Sequence, residues 1–192
     1  MKKSTRDLII ETASGLIEKY GFNHTGINEI LKQANVPKGS FYYYFESKEA
    51  LGHAVIEKAA QDRYAVIEEA LASVPGSPLE RMRRVFEMQI EQYDVEAVHS
   101  CILTKLGQEM AEQHEGFREK LEQVFKRIVQ CYADVFEQAK EAGELPDGTD
   151  SMKLAEFLFA VSEGSVMLAK LKKSKEPLKN FLEQFNRLTE GK

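Results

Sequence analysis

Apolar side chains recur about every three to four residues along almost the whole chain, which is the period of an amphipathic α-helix. Near the start of the chain, this pattern predicts one helix that stops at about Gly21 and a short second helix that opens at Thr25. A third helix is predicted from Pro37, where the missing N–H of proline costs nothing, to about Phe45. A fourth helix is predicted to begin after Ser47, which is a good N-cap residue.

A break in the apolar pattern separates these helices from longer ones. The segment Ser73–Pro78 contains two prolines and a glycine, which interrupt helices and favour turns. Three longer helical patterns follow, then a loop at Gly143–Asp150, and then two further helices. No strand-like alternation, internal repeat or low-complexity segment occurs. The sequence therefore predicts an all-α protein of about nine helices.

The composition is that of an ordinary soluble globular protein, with 43% hydrophobic and 30% charged residues. The longest apolar run, Phe157–Val161, is far shorter than the roughly 20 residues that a membrane-spanning helix needs. With no leader-like segment at the start, we expect a cytoplasmic protein with no membrane partner. Its two cysteines, Cys101 and Cys131, are then expected to be reduced thiols. Neither they nor the four histidines have metal-ligand spacing, so no metal or other cofactor is predicted.

The distribution of charge changes the meaning of the net charge of −5. Residues 1–60 contain eight Lys/Arg and seven Asp/Glu, which gives this segment a charge of +1 and leaves −6 for the rest of the chain. The acidity therefore belongs to the later part of the chain. The first segment is free to approach a polyanion such as DNA.

The second and third predicted helices carry the clearest functional signal. Both are short, and the tight turn Gln33–Pro37 joins them, which is typical of a helix-turn-helix whose second helix enters the major groove of DNA. The third helix reads KGSFYYYF, in which Phe41 and Phe45 are predicted to share one packed face. Its other side chains can bind phosphates or base edges. Consecutive tyrosines are often packing aromatics, but the turn and the Lys-Gly-Ser sequence beside them favour DNA binding.

The segments Thr25–Ile30 and Val36–Leu51 resemble the DNA-binding domain of TetR-type transcriptional repressors, and the likeness covers about residues 4–60. This resemblance implies an all-helical homodimer. Three N-terminal helices would bind an operator half-site, and a fourth helix would link them to a ligand-binding core. The last two helices would pair with those of a second subunit.

The same resemblance implies a domain division and residue roles. It implies a DNA-binding domain at residues 1–48, a linking fourth helix at about 48–73, and an effector-binding and dimerisation domain at 74–192. The residues expected to face bases are Lys38, Gly39 and Ser40. Those expected to hold phosphates are Thr25, Tyr42, Tyr43, Tyr44 and Lys48. Pro37 departs from the family pattern, which often has a small polar residue there and a phosphate contact from it.

A short motif in the later part of the chain points to an effector. The segments Ser100–Leu103 and Leu106–Glu109 resemble a motif of one subgroup of these repressors, which includes regulators that respond to reactive electrophiles. Cys101 and Lys105 are four residues apart on a predicted helix, where a lysine favours the reactive thiolate. The alternative is that Cys101 is a small buried hydrophobe. The candidate pocket residues are Phe86, Tyr93, Cys101, Lys105 and Phe125, of which the aromatic ones could equally fill a core.

Large apolar side chains on the last two helices predict a dimer interface. They are more numerous than a monomer surface normally exposes, and a small residue between them would permit close helix approach. The candidate interface residues are Phe157, Leu158, Val161, Gly164, Phe181, Leu182 and Phe185. The alternative is that these side chains form the core of a single chain.

These observations favour a ligand-responsive, DNA-binding transcriptional repressor over two other functions. It would bind a double-stranded DNA operator as a homodimer and be released by a small-molecule effector. A helical interaction module without DNA binding is the first alternative, and the lysine and tyrosines of the third helix argue against it. A cysteine-dependent enzyme is the second, but no base or glycine-rich elbow lies near Cys101. We therefore predict no enzymatic activity.

Overall fold

The computed structural model describes residues 3–73, 75–94 and 101–190. Regular structure within these ranges is entirely α-helical, and its nine helices confirm the predicted all-α class. The helices are α1 (Thr5–Tyr20), α2 (Ile27–Gln33), α3 (Lys38–Tyr44), α4 (Lys48–Ser73), α5 (Pro78–Gln92), α6 (Ile102–Met110), α7 (Glu115–Glu141), α8 (Ser151–Lys172) and α9 (Glu176–Glu190). None of the helices in the described ranges is long and apolar enough to cross a membrane.

The chain forms two compact units, and neither is continuous in sequence. The N-terminal unit consists of Met1–Asp62 and Val98–Glu122. The C-terminal unit consists of Arg63–Ala97 and Gln123–Lys192. The functional boundaries expected near residues 48 and 74 stay a prediction. The structure adds that α6 and the first residues of α7 belong with the N-terminal helices.

Helix α1 contacts both α2 and α6 in the N-terminal unit. It begins after Ser4, whose hydroxyl accepts a hydrogen bond from the N–H of Asp7 at 3.1 Å. It ends at Gly21, whose φ of 88° lies in the left-handed region that glycine adopts without strain. Its buried face repeats with helical spacing and consists of Ile9, Ile10, Ala13, Leu16 and Ile17. The apolar period of the sequence identifies most of this inner face, but it also places Leu8 and Tyr20 there, and both are exposed.

An aromatic cluster centred on Phe86 lies in the core of the C-terminal unit, where α5 and α8 both contact α9. The ring centroid of Phe86 lies 4.8 Å from that of Phe181 and 5.0 Å from that of Phe185. A third ring, that of Tyr132, lies 5.7 Å away. All three contacts are edge-to-face, the arrangement that aromatic quadrupoles favour.

Candidate nucleic-acid interface

The connection between α2 and α3 has the geometry of a helix-turn-helix. Asn35 sits in the turn with a φ of 53°, a left-handed conformation that asparagine tolerates better than most residues. The following N–H, that of Val36, donates to the carbonyl of Leu31 at 3.0 Å and ties the turn back to α2. Four residues therefore suffice to redirect the chain into α3.

The inner face of α3 holds the helix against the rest of the N-terminal unit. Phe41 and Phe45 are both buried, and their ring centroids lie 5.6 Å apart. The guanidinium of Arg6, just inside α1, lies 5.5 Å from the centre of the Phe45 ring. The predicted shared face of the two phenylalanines is confirmed.

The outer face of α3 presents the groups that the sequence assigns to DNA. The side chains of Tyr42 and Tyr43 are 61% and 81% exposed, so neither is a core aromatic. Lys38 and Gly39 are exposed too, and Ser40 is half-buried. A Cβ built on Gly39 meets nothing within 4 Å, so the packing of this chain does not require a glycine there. An ammonium, a hydroxyl and two phenols thus face outward from one short helix, with room for close approach of another backbone.

Two further predicted phosphate ligands flank this helix, and their environments differ. Thr25 is buried, and its hydroxyl donates to the carbonyl of Gly21 at 2.7 Å, so it anchors the chain before α2. Lys48 is half-buried at the start of α4, with its Nζ 4.5 Å from the centre of the Phe22 ring. Burial lowers the pKa of Lys48, against the attraction of Glu49 and Glu109. Their phosphate contacts, and that of half-buried Tyr44, stay predictions.

Two residues of α6 support this region, a role that the sequence does not reveal because it assigns Lys105 to the effector pocket. The carboxylate of Glu109 accepts the backbone N–H groups of Phe22 and Asn23 at 2.8 and 2.7 Å. The Nζ of Lys105 donates to the carbonyl of Glu18 at 2.5 Å. No local pattern relates residues about 87 positions apart along the chain, so only the folded structure shows these contacts.

The predicted effector residues fall into both units. Cys101, the N-cap of α6, and Lys105 belong to the N-terminal unit, whereas Phe86, Tyr93 and Phe125 belong to the C-terminal unit. Phe86 lies fully in the core. Burial raises the pKa of Tyr93, which follows the last residue of α5. The ring of half-buried Phe125 lies 5.5 Å from that of Phe159. A shared pocket for these residues stays a prediction.

The predicted interface residues separate into exposed and buried sets. Phe181 and Phe185 pack on Phe86, and Leu158 is buried too, so these three lie in the core that the sequence left open as an alternative. Leu182 is half-buried.

The exposed set forms a line along α8, which we call the α8 stripe. Phe157 is 55% exposed and Leu171 is 73% exposed. The stripe consists of Phe157, Val161, Gly164, Leu168 and Leu171, with alternating spacings of four and three residues, and Gly164 is its one half-buried member. Such spacing keeps all five on one side of a helix, as in the seam of a helical bundle. Leu168 and Leu171 were missed from the sequence, although their spacing could have identified them.

Comparisons with known proteins agree over both parts of the chain. Residues 9–55 match the family described as "Bacterial regulatory proteins, tetR family", and residues 78–185 match "Tetracyclin repressor-like, C-terminal domain". The chain is 30% identical to the HTH-type transcriptional repressor NemR of Escherichia coli K12, over 93% of this chain and 90% of the relative. It is 37% identical to the transcriptional regulator AcuR of Cereibacter sphaeroides, over 90% and 78% of the two chains.

Solved structures lead to the same group of proteins. The crystal structure of E. coli NemR in its reduced form superposes with a TM-score of 0.86 at 30% identity, over 96% of this chain and 97% of that one. The regulatory protein TetR from Rhodobacter sphaeroides superposes with a TM-score of 0.86 at 31% identity, over 95% and 97%. The likeness therefore extends from the N-terminal helices to α9.

Proposed function

The chain belongs to the TetR family of bacterial regulatory proteins and is a ligand-responsive DNA-binding repressor, and we propose how its residues perform that function. It acts in the cytoplasm as a homodimer on a double-stranded DNA operator. A small molecule that binds its effector region shifts the population away from the DNA-competent state and releases the operator.

The exposed face of α3 is the observation that carries the DNA-binding part of this proposal. Its position after the helix-turn-helix turn suits insertion into a major groove, whose width admits one helix. Lys38, Gly39 and Ser40, in the first turn of α3, then face the base edges. The phenol groups of Tyr42 and Tyr43 reach phosphate oxygens beside the groove.

The remaining proposed phosphate contacts come from residues around α3. Tyr44 lies at its last position, and Lys48 opens the helix that follows. Thr25 contributes mainly by anchoring the chain that leads into α2. Phosphate contacts fix the orientation of the protein on DNA, so these residues set the register in which α3 reads the bases.

The α8 stripe supports the homodimer. Five positions on one side of α8 form an apolar line that a single chain leaves exposed at Phe157, Val161, Leu168 and Leu171. Pairing of two copies along this line removes it from water. A homodimer has two α3 helices, as DNA half-sites about 34–36 Å apart or a multiple of that distance require.

The candidate effector residues act within the unit to which each belongs. In the C-terminal unit, Tyr93 and Phe125 supply aromatic surface, which is typical of small-molecule sites, whereas Phe86 is enclosed in the core. In the N-terminal unit, Cys101 supplies a thiol and Lys105 an ammonium. The resemblance to electrophile-responsive regulators supports a reactive thiol at Cys101.

Removal of one exposed hydroxyl tests the DNA-binding function. The probe is fluorescence anisotropy with a duplex that the wild-type protein enriches from a random-sequence pool, measured at two salt concentrations. Tyr42→Phe should weaken binding several-fold while leaving the fold intact, since it removes only a phosphate donor from an exposed ring. Tyr20→Phe removes the hydroxyl of another exposed tyrosine, at the end of α1, and should leave binding unchanged. Failure of the wild-type protein to enrich any duplex, or salt-independent binding, would contradict the function.

A further inference from the structure

Helix α6 holds the end of α1 and the loop after it through two charged side chains. Lys105 and Glu109 are one helical turn apart, so they share a face of α6. Lys105 donates to the carbonyl of Glu18 in the last turn of α1, at 2.5 Å from Nζ to O. Glu109 accepts from the N–H groups of Phe22 and Asn23 at 2.8 and 2.7 Å. We call this arrangement the α6 clamp.

Each half of the α6 clamp meets a backbone charge of the opposite sign. The last carbonyls of a helix have no partner within the helix and carry partial negative charge, which the ammonium of Lys105 complements. Two successive N–H groups form a concave donor site that suits an anion such as the Glu109 carboxylate. Gly21 leaves space for that carboxylate, because a Cβ there would lie 2.8 Å from its Oε2.

The loop that the clamp holds connects directly to the proposed DNA-binding residues. The hydroxyl of Thr25 donates to the carbonyl of Gly21, one residue before the clamped N–H groups. The ring of buried Phe22 lies under the ammonium of Lys48 at 4.5 Å. A shift of this loop would therefore move the start of α2 and the surroundings of Lys48 together.

We propose that Glu109 and Lys105 are positioning residues for operator recognition. They do not touch DNA themselves. They fix the loop after α1, and through it the helix-turn-helix and Lys48, in the arrangement that binds the operator. This inference rests on the proposed function, since it assigns further residues to the same DNA-binding site.

The substitution Glu109→Gln tests the clamp, because it replaces one of the two oxygens that accept these N–H groups with an NH₂ group, which is a donor. Hydrogen exchange at the amides of Phe22 and Asn23 should accelerate. The dissociation constant for the enriched duplex should rise about tenfold, which is about 1.4 kcal/mol. The matched control is Glu112→Gln, which removes the same charge from an exposed side chain in the turn after α6.

The direction of the change separates positioning from general electrostatics. Loss of a negative charge by itself favours binding to DNA, so the control should bind equally well or slightly more tightly. Only a positional role predicts weaker binding from Glu109→Gln. Faster exchange with unchanged affinity would show that the clamp does not position the DNA-binding residues, and unchanged exchange would show that the clamp is absent.

A second variant covers the case in which Glu109→Gln does not fold. Lys105→Gln breaks the other half of the clamp and leaves both N–H groups with their acceptor. It should weaken operator binding more than Lys126→Gln, which removes the same charge from an exposed position on α7. Equal affinities for these two variants would overturn the inference. A wild-type protein that enriches no duplex would instead contradict the proposed function, and the inference with it.

Discussion

Replacement of Gly52 by alanine is the sharpest test of how the N-terminal unit is packed. Gly52 lies inside α4, and a Cβ there would be 2.5 Å from Cζ of Phe117 and 2.7 Å from Cε2 of Phe22. Both distances are far below van der Waals contact. The rings cannot swing aside freely, because both phenylalanines are buried and pack on each other with centroids 5.1 Å apart. His53 stacks against Phe117 as well, at 4.6 Å.

Two opposing contributions decide the sign of the effect. In a helix interior, the helix propensity of alanine stabilises the folded state by about 0.8–1.0 kcal/mol relative to glycine. Overpacking of a close-packed site costs about 1–3 kcal/mol. Because two separate rings must move, we expect the cost of overpacking to exceed the gain in helix propensity. Gly52→Ala should therefore destabilise the protein by about 1 kcal/mol. For a chain of this length, that lowers the melting temperature by about 2–4 °C.

The same substitution at Gly15 is the matched control. Gly15 lies on the exposed side of α1, and a Cβ there meets nothing within 4 Å. Gly15→Ala should therefore gain most of the helix-propensity term and stabilise the protein by up to about 1 kcal/mol. Both variants are compared by urea and thermal unfolding followed by circular dichroism at one protein concentration, because the proposed dimerisation would make stability concentration-dependent. Equal stabilisation by the two substitutions would refute the close packing of α4 on Phe22 and Phe117.

Two further predictions concern assembly and pH. Leu168→Glu places a charge within the α8 stripe and should give monomers by light scattering at micromolar concentration. Met152→Glu, on another side of α8, should leave the proposed dimer intact. If both variants formed dimers, the stripe would not be the interface. Burial lowers the pKa of His53 below its ordinary value near 6.5, and the positive charge of Lys120 lowers it further. Just below pH 6.5, the folded protein therefore binds fewer protons than the unfolded chain. The free energy of unfolding should therefore decrease as the pH falls from about 6.5 through the lowered pKa of the folded state. Urea midpoints measured at several pH values should show a smaller decrease for His53→Gln. Identical pH profiles of the two proteins would contradict the lowered pKa.

The outer face of α3 could be predicted from the sequence because it depends on residues only a few positions apart. The apolar pair Phe41 and Phe45 determines which side of the helix is buried, and the intervening tyrosines must then point elsewhere. The short helices and the turn at 34–37 follow from the same few residues. The resemblance seen in the sequence was carried by this N-terminal segment, whereas the family match extends over residues 78–185 as well.

For the apolar residues of α8 and α9, the sequence pattern does not predict which ones the rest of the chain covers. From the sequence, Phe157 and Phe181 are equivalent candidates for a dimer interface. In the structure, Phe181 is buried against Phe86 of α5, while Phe157 is exposed. Helical periodicity identifies the apolar side of a helix but not the surface that covers it.

The sequence by itself determined the all-α class, the helix-turn-helix and the outward-facing groups of α3, because helix formation and amphipathic faces depend on residues a few positions apart. The tertiary structure alone decided that α6 joins the N-terminal helices and that Glu109 receives two backbone N–H groups 86 and 87 positions away. It also decided which apolar side chains of the last helices remain exposed. The physical reason is that burial and long-range hydrogen bonds depend on which surfaces meet, and packing of the whole chain determines those pairings.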